Sequence, residues 1–391
     1  MKRVDVIVLG AGAAGMFAAI EAARRGRRVL VIDHAKAVGE KIRISGGGRC
    51  NFTNLHIAPD RFLSANPRFA LSALSRYTQH DFIARVNRAG IAWHEKTLGQ
   101  LFCDGSAMQI VDMLRADLAA AGGEVWLGTP FSDLTRGDVF RLTTPRGVVE
   151  GAAVVVATGG RSIPKMGATG AGYDIARAFG LRLVEPRPGL VPLTFGDAAR
   201  AQMAELAGLA VPARVGFGKT AFEEGLLFTH RGLSGPSILQ ISSYWQTGRP
   251  IRIDLTPGVE AGAALAGLRQ GAGRQEVANA LARLLPERLA RAVCGWAGVA
   301  GRLADLDGAG LRRLAGVLDG WEVLPTGTEG WRTAEVTLGG VDTRDLDART
   351  MQARAVPGLY FVGEVVDVTG WLGGYNFQWA WSSGWAAGQA V

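Results

Sequence analysis

The stretch Val4-Asp5-Val6-Ile7-Val8-Leu9 is an apolar, β-branched run that ends directly in Gly10-Ala11-Gly12-Ala13-Ala14-Gly15, and this junction constrains the fold more than any other part of the chain. Such a run suits a strand buried on both faces of a parallel sheet. The glycines open a helical pattern over residues 16–25, and a second strand-like run over 28–32 stops at Asp33. Strand, Gly-rich turn, helix, strand and terminal acid together make a βαβ unit of the dinucleotide-binding kind. Gly10 permits the tight turn, Gly12 lets the backbone approach a diphosphate, and Gly15 lets helix and strand pack closely. The helix start at Ala13 and Ala14 turns its N–H groups toward the phosphates. Asp33, about 20 residues beyond the glycines, is placed to accept from both ribose hydroxyls and disfavours a 2′-phosphate. The expected ligand is an adenosine diphosphate of the FAD or NAD kind.

At 391 residues, with 48% hydrophobic and 20% charged side chains, the chain can build two or three domains with real cores. Disorder, a collagen-like repeat and a disulfide scaffold are excluded, the last because there are only three cysteines, Cys50, Cys103 and Cys294. That odd, sparse count suits a reducing cytosol. No apolar run approaches the ~18 residues of a membrane span. Asp5, Glu21 and Arg24 interrupt even the apolar start of the chain. The expectation is a soluble, cytoplasmic protein with no membrane partner. The net charge of +8 is concentrated in residues 1–100, which carry 16 Lys and Arg against 7 Asp and Glu. Such a basic third can face a cofactor diphosphate or a nucleic acid, or be a scattered Arg-rich surface.

Three further segments argue for FAD. Lys41-Ile42-Arg43-Ile44-Ser45-Gly46-Gly47-Gly48-Arg49-Cys50-Asn51 is a basic, Gly-rich loop soon after the second strand, able to wrap closely around a large planar or charged ligand. Ala153-Val154-Val155-Val156 reads as a buried strand closing in Ala157-Thr158-Gly159-Gly160, a turn at the strand end where open α/β sheets bind ligands. Near the C-terminus a strand runs into Gly363-Glu364-Val365-Val366-Asp367, and Gly373-Gly374-Tyr375-Asn376 opens a last helix. The positive end of that helix can stabilise negative charge on a reduced flavin.

The chain resembles the YhiN/BaiN-type, also called RdsA-type, FAD-dependent flavoproteins. The matching stretches are Ser45-Gly46-Gly47-Gly48-Arg49-Cys50-Asn51-Phe52-Thr53-Asn54, Ala157-Thr158-Gly159-Gly160-Arg161-Ser162-Ile163-Pro164, Leu227-Phe228-Thr229-His230-Arg231-Gly232-Leu233-Ser234-Gly235-Pro236 and residues 363–380. They span nearly the whole chain. The family pattern has Phe-Pro-x-Ser where this chain reads Phe102-Cys103-Asp104-Gly105-Ser106, so Cys103 stands in place of the proline and no role for that loop is carried over.

The texture of the sequence divides the chain in the same way as the resemblance does. A glutathione-reductase-like, Rossmann-type FAD domain of α/β class is expected over 1–186 and 335–391. It is interrupted by an inserted domain over 187–334, β-rich to 261 and mainly helical beyond, with substrate in the cleft between them. Flavin supplies hydride chemistry, so the protein must admit a reductant and provide a proton donor. Cys50 is a candidate donor to a carbon of an activated C=C bond, or a small thiol packing beside the cofactor. Arg49 can hold the negative charge of a reduced flavin or bind phosphate, and His230 is a candidate acid or a structural histidine. His34, His56, His80 and His94 have no metal-ligand spacing, so no metal is expected. Trp371 is a stacking candidate, and Trp379 and Trp385 are candidate core residues. One fingerprint only is present, so NADH or NADPH is expected to dock transiently at the flavin.

The resemblance implies two substrates, a uridine of 23S ribosomal RNA reduced to dihydrouridine or a steroid-like enone. Both need a hydride and a proton added to a conjugated C=C bond. A flavin-binding protein without turnover, and an oxidase or monooxygenase, use the same cradle and stay open.

Overall fold

The apolar run at the start of the chain is a strand, β1 (Lys2–Leu9), whose last four residues are buried on both faces. The computed structural model describes residues 1–391. The chain divides into two compact units, one formed by Met1–Pro188 with Val336–Val391 and the other by Gly189–Glu335.

The first unit is built on a seven-stranded sheet. Its further strands are β2 (Val29–Ile32), β3 (Glu124–Trp126), β4 (Leu134–Arg136), β5 (Phe140–Thr144), β6 (Gly147–Val156) and β7 (Leu359–Phe361). Five run parallel in the order β3-β2-β1-β6-β7, and β5 and β4 form an antiparallel hairpin on the early half of β6. Register decides where a ligand can sit. Leu9 stands beside Ile32 and Val156, and Val156 beside Phe361, so three inner strands and β7 end in one row. The segments that leave that row are Gly10–Gly15, Asp33, Ala157–Gly160 and Val362–Glu364, four stretches widely spaced in sequence.

Helix α1 (Ala13–Arg24) follows the first Gly-rich turn, and its apolar small residues let it lie close to the sheet. A Cβ on Gly15 would stand 1.9 Å from the Gly10 carbonyl oxygen and 3.0 Å from the Ala157 Cβ. The final helix of the chain, here α3 (Tyr375–Gly388), packs on the other side of α1 through Gly384 and Gly388. A Cβ at those positions would lie 2.6 Å from the Ala14 carbonyl and 2.8 Å from the Ala18 carbonyl. Between these two helices comes the short α2 (Glu40–Ile44), which leads into the triple-glycine turn. Trp379 and Trp381 are fully buried, and Trp385 stacks on Tyr77.

The second unit carries its own seven-stranded sheet. Its order is Trp321–Val323, Ile251–Asp254, Ala210–Phe217, Thr220–Thr229, Gly232–Ser234, Leu193–Thr194 and Gly327–Thr328, with every pairing antiparallel. Helices Ala261–Ala272, Val277–Leu281, Glu287–Ala297 and Gly308–Gly320 follow the Ile251–Asp254 strand. The sheet is completed after them, because Trp321–Val323 and Gly327–Thr328 return to its two edges. The sequence pattern after residue 261 reads as mainly helical since these strands are only three and two residues long.

Gly15→Ala should therefore lower the stability of the apoprotein by about 1–3 kcal/mol, the usual cost of forcing an atom into a packed contact. Gly12→Ala, whose Cβ meets nothing within 4 Å, should change it by less than about 1 kcal/mol. Urea unfolding of both variants checks this, and equal losses would contradict the packing.

Candidate active site

The segments at the end of the parallel strands are held together by side chains far apart in sequence. Glu364 is the centre of this arrangement. Its Oε2 accepts from Lys41 Nζ at 2.9 Å, and its Oε1 accepts from Ser162 Oγ at 2.7 Å and from the Thr337 N–H at 3.0 Å. Lys41 Nζ also donates to Ser162 Oγ at 2.7 Å. Thr337 Oγ1 in turn accepts from the Arg161 and Ser162 N–H groups. Burial works against the charge of Glu364, but Lys41, Ser162 and the Thr337 N–H together hold its carboxyl below the usual glutamate value. Gly160 fits beneath this network because a Cβ there would meet Thr337 Oγ1 at 2.2 Å. The sequence reading assigns Lys41 and Glu364 to the cofactor separately. The structure pairs them with each other, and it adds Ser162 and Thr337 as partners.

The dinucleotide loop lies beside this network. Gly363 packs against Ala14, where a Cβ would stand 2.9 Å from the Ala14 Cβ. Trp379 Nε1 donates to the Gly363 carbonyl and the Gly363 N–H donates to Ser383 Oγ, so α3 fixes the Gly363-Glu364 turn. Gly12 ends the turn without any side-chain cap on α1. Asp33 accepts from the Ala11 N–H at 2.6 Å through Oδ2 and from the Ala35 N–H at 2.8 Å through Oδ1. Its carboxylate thus fixes the Gly-rich turn.

The basic loop forms a left-handed turn. Gly46, Gly47 and Gly48 have φ of 56°, 66° and 84°, a run that side chains with a Cβ resist. Gly46 and Gly47 are exposed, and Cys50 is sealed beneath them with φ of 51°. Burial pushes the Cys50 thiol well above its ordinary value, against a hydrogen bond with Ser45. Burial likewise pushes the Cys103 thiol up to about 11. Cys103 takes its place through its N–H, which donates to the Arg49 carbonyl at 3.0 Å. Arg49 is exposed.

The last motif closes against the same loop. Gly374 sits where a Cβ would meet the Thr53 carbonyl at 2.4 Å, and Asn54 Nδ2 donates to the Gly373 carbonyl at 2.8 Å. Asn51 lies against Gly374, its side-chain amide 2.9 Å from where that Cβ would be. Thr53 Oγ1 donates to Gln378 and Trp381 Nε1 donates to the Phe52 carbonyl, which anchors α3 on the strand Asn51–Asn54. Asn376 clamps the preceding turn by accepting from the Gly370 N–H and donating to the Gly370 carbonyl. Tyr375 accepts from Arg61 at 2.6 Å. The Arg61 guanidinium also lies 5.4 Å from the centre of the Trp371 ring, a partner the sequence did not reveal.

One expected site residue points elsewhere. Asp367 is buried and accepts from the Ala65 N–H at 2.8 Å, so its carboxylate serves the fold around Ser64 and Ala65. His230 belongs to the second unit, exposed in the turn between Thr220–Thr229 and Gly232–Ser234. Thr229 Oγ1 rigidifies that turn by accepting from the Arg231 and Gly232 N–H groups. No group of three or more His, Cys, Asp or Glu is arranged to hold a metal ion, and no helix is long and apolar enough to cross a membrane.

The residues at the strand ends fit FAD on two observations. Space is open where a Cβ on Gly12 would be, at the start of an uncapped helix. Thr158 Oγ1, at the end of β6, is buried with no hydrogen-bond partner, a polar atom left for a ligand.

The family described as HI0933-like protein Rossmann domain matches residues 4–390. The chain belongs to this family. As a member it is an FAD-dependent oxidoreductase. It is 51% identical to the ribosomal RNA dihydrouridine synthase of Escherichia coli (strain K12), over 100% of this chain and 98% of that protein. It is 44% identical to the protein of the same name from Haemophilus influenzae, over 98% of each chain. A 3-dehydro-bile acid delta(4,6)-reductase from Clostridium scindens is 28% identical over 100% of this chain and 99% of that one.

Glu364, held ionised in the fold, contributes stability that is present above the ordinary carboxylate range and is lost as pH falls through its lowered value. Glu364→Gln should cost about 1–3 kcal/mol at neutral pH and flatten the acid side of the stability profile between about pH 5 and pH 3. Urea unfolding across that range checks it, and an unchanged acid limb would remove Glu364 from the account. Gly12→Val should fold yet purify colourless, because the side chain enters the open space by the helix start. A yellow variant would contradict the placement of the diphosphate.

Proposed function

We propose that this protein uses NADH or NADPH to reduce one uridine of ribosomal RNA to dihydrouridine. The observation that carries the reading is end-to-end similarity, at 51% and 44% identity, to two proteins named ribosomal RNA dihydrouridine synthase. The steroid-like enone is the second reading. It is favoured by the bile-acid reductase, which is more distant at 28% identity.

When bound, FAD supplies the transfer of a hydride from the nicotinamide to the substrate. The chain's own residues have separate tasks. The N–H groups at Ala13 and Ala14 and the turn at Gly12 receive the diphosphate, and Asp33 faces the ribose. Thr158 offers its unpaired hydroxyl to the cofactor. The net reaction consumes one hydride and one proton at the uracil C5=C6 bond and yields oxidised nicotinamide. Arg49, exposed beside the triple-glycine turn, offsets negative charge that develops there. Cys50 stays protonated but sealed under the turn, and this geometry favours packing over proton donation.

Mixing the yellow protein with NADPH or NADH without oxygen should bleach the flavin, and a 23S ribosomal RNA transcript should restore its colour. Restoration by a steroid enone and not by the transcript would give the second reading. Cys50→Ala should keep flavin and turnover within a few-fold. A loss of about a hundredfold, the usual scale for a general acid, would restore the thiol to catalysis.

A further inference from the structure

Two segments of the first unit contain no acidic residue at all, residues 41–59 and 151–173. The structure lays them side by side. Lys41 Nζ lies 2.7 Å from Ser162 Oγ. Their cations are Lys41, Arg43, Arg49, Arg161 and Lys165. Lys41 alone is neutralised, by Glu364. Arg43, Arg49 and Lys165 are exposed and make no ion pair. Arg161 has no carboxylate partner either, its guanidinium lying over the Tyr173 ring.

The carboxylates packed around these segments are occupied. Asp33 receives the Ala11 and Ala35 N–H groups, and Asp104 pairs with His94 at 2.6 Å. Glu40 lies three residues before Arg43 on α2 without an ion pair between them. Between Arg43 and Arg49 the surface changes character. Ile44 is 46% exposed, and Gly46 and Gly47 present bare backbone. Nothing lies within 4 Å of where Cβ atoms on Gly47 and Gly48 would be.

We propose that Arg43, Arg161 and Lys165 form a phosphate-binding strip for the RNA strand that carries the target uridine, with the exposed Ile44 as the surface for a nucleobase. The inference rests on the RNA reading given above and adds the residues that would engage the strand. Cations without carboxylate partners on segments free of acidic residues suit a single strand, whose phosphates repeat while its bases offer apolar faces. Isolated cations without carboxylate partners keep their full charge for an anion, and binding through them releases counterions from the RNA.

The test uses flavin-loaded, full-length protein and a fluorescent 23S ribosomal RNA transcript, with affinity read by anisotropy between about 50 and 200 mM KCl. Arg43→Gln with Lys165→Gln should weaken binding, and the slope of log affinity against log salt should fall by about 0.7 for each cation removed. Arg43→Lys should retain the slope. Flavin content and the rate of flavin bleaching by NADPH should equal those of the parent protein. Unchanged affinity and slope in the double variant, while the parent protein binds and reduces the transcript, would overturn the strip and leave the RNA reading intact. A raised NADPH requirement with unchanged RNA binding would assign the cations to the reductant and also overturn it. A parent protein that neither binds nor reduces the transcript would defeat the RNA reading itself, and the strip with it.

Discussion

Everything at the strand ends depends on how closely α1 can lie between its neighbours. On one side Gly15 brings the helix to within contact of the Gly10 carbonyl and Ala157, and on the other Gly384 and Gly388 bring α3 against the carbonyls of Ala14 and Ala18. A helix clamped in this way has no freedom to slide, since any added Cβ would meet backbone atoms that cannot move aside. Its N-terminus is therefore held at a fixed height above the ends of β1 and β6. The same clamp fixes Gly363 against Ala14, which delivers Glu364 to its partners.

Glu364 then joins three segments far apart in sequence, at Lys41, Ser162 and Thr337, into one wall. A carboxylate taken from water is costly unless each oxygen is bonded, and here both oxygens are, by Lys41, Ser162 and the Thr337 N–H. This network orients the loop that begins at Lys41, and with it the left-handed turn at Gly46, Gly47 and Gly48. Rigid backbone at the turn and a rigid helix start at Gly12 give the site its shape before any ligand arrives, which is what preorganised binding requires. Within the second unit taken by itself, the Thr229–Gly232 turn is comparably stiff, because one hydroxyl accepts from two N–H groups.

The parallel sheet and its Gly-rich turn were legible because their signals are local: an apolar run, three glycines at fixed spacing and an acid at the end of the next strand. The same holds for Trp379, whose place in a helical pattern marks it as core. Contacts across hundreds of residues were not legible. Lys41 and Glu364 each sit in a recognisable motif, yet nothing in either motif says that the two will pair. Thr337 lies in an apolar run and gives no polar signal, and Gly384 and Gly388 look like ordinary helix residues until α1 is placed against them. Asp367 reads as part of a ligand motif because its neighbours are, whereas its own carboxylate turns to the Ala65 N–H. The β-strands at Trp321–Val323 and Gly327–Thr328 are too short to register as alternation.

The proposed reaction of this cradle is the reduction of a uridine within ribosomal RNA. The most direct measurement is nucleoside mass mapping of a 23S ribosomal RNA transcript after incubation with the flavin-loaded protein and NADPH. The expected result is the gain of two hydrogen atoms at one uridine position, absent when the Gly12→Val variant replaces the protein. A transcript whose uridines all keep their mass, under conditions in which the flavin is reduced by NADPH, would contradict it.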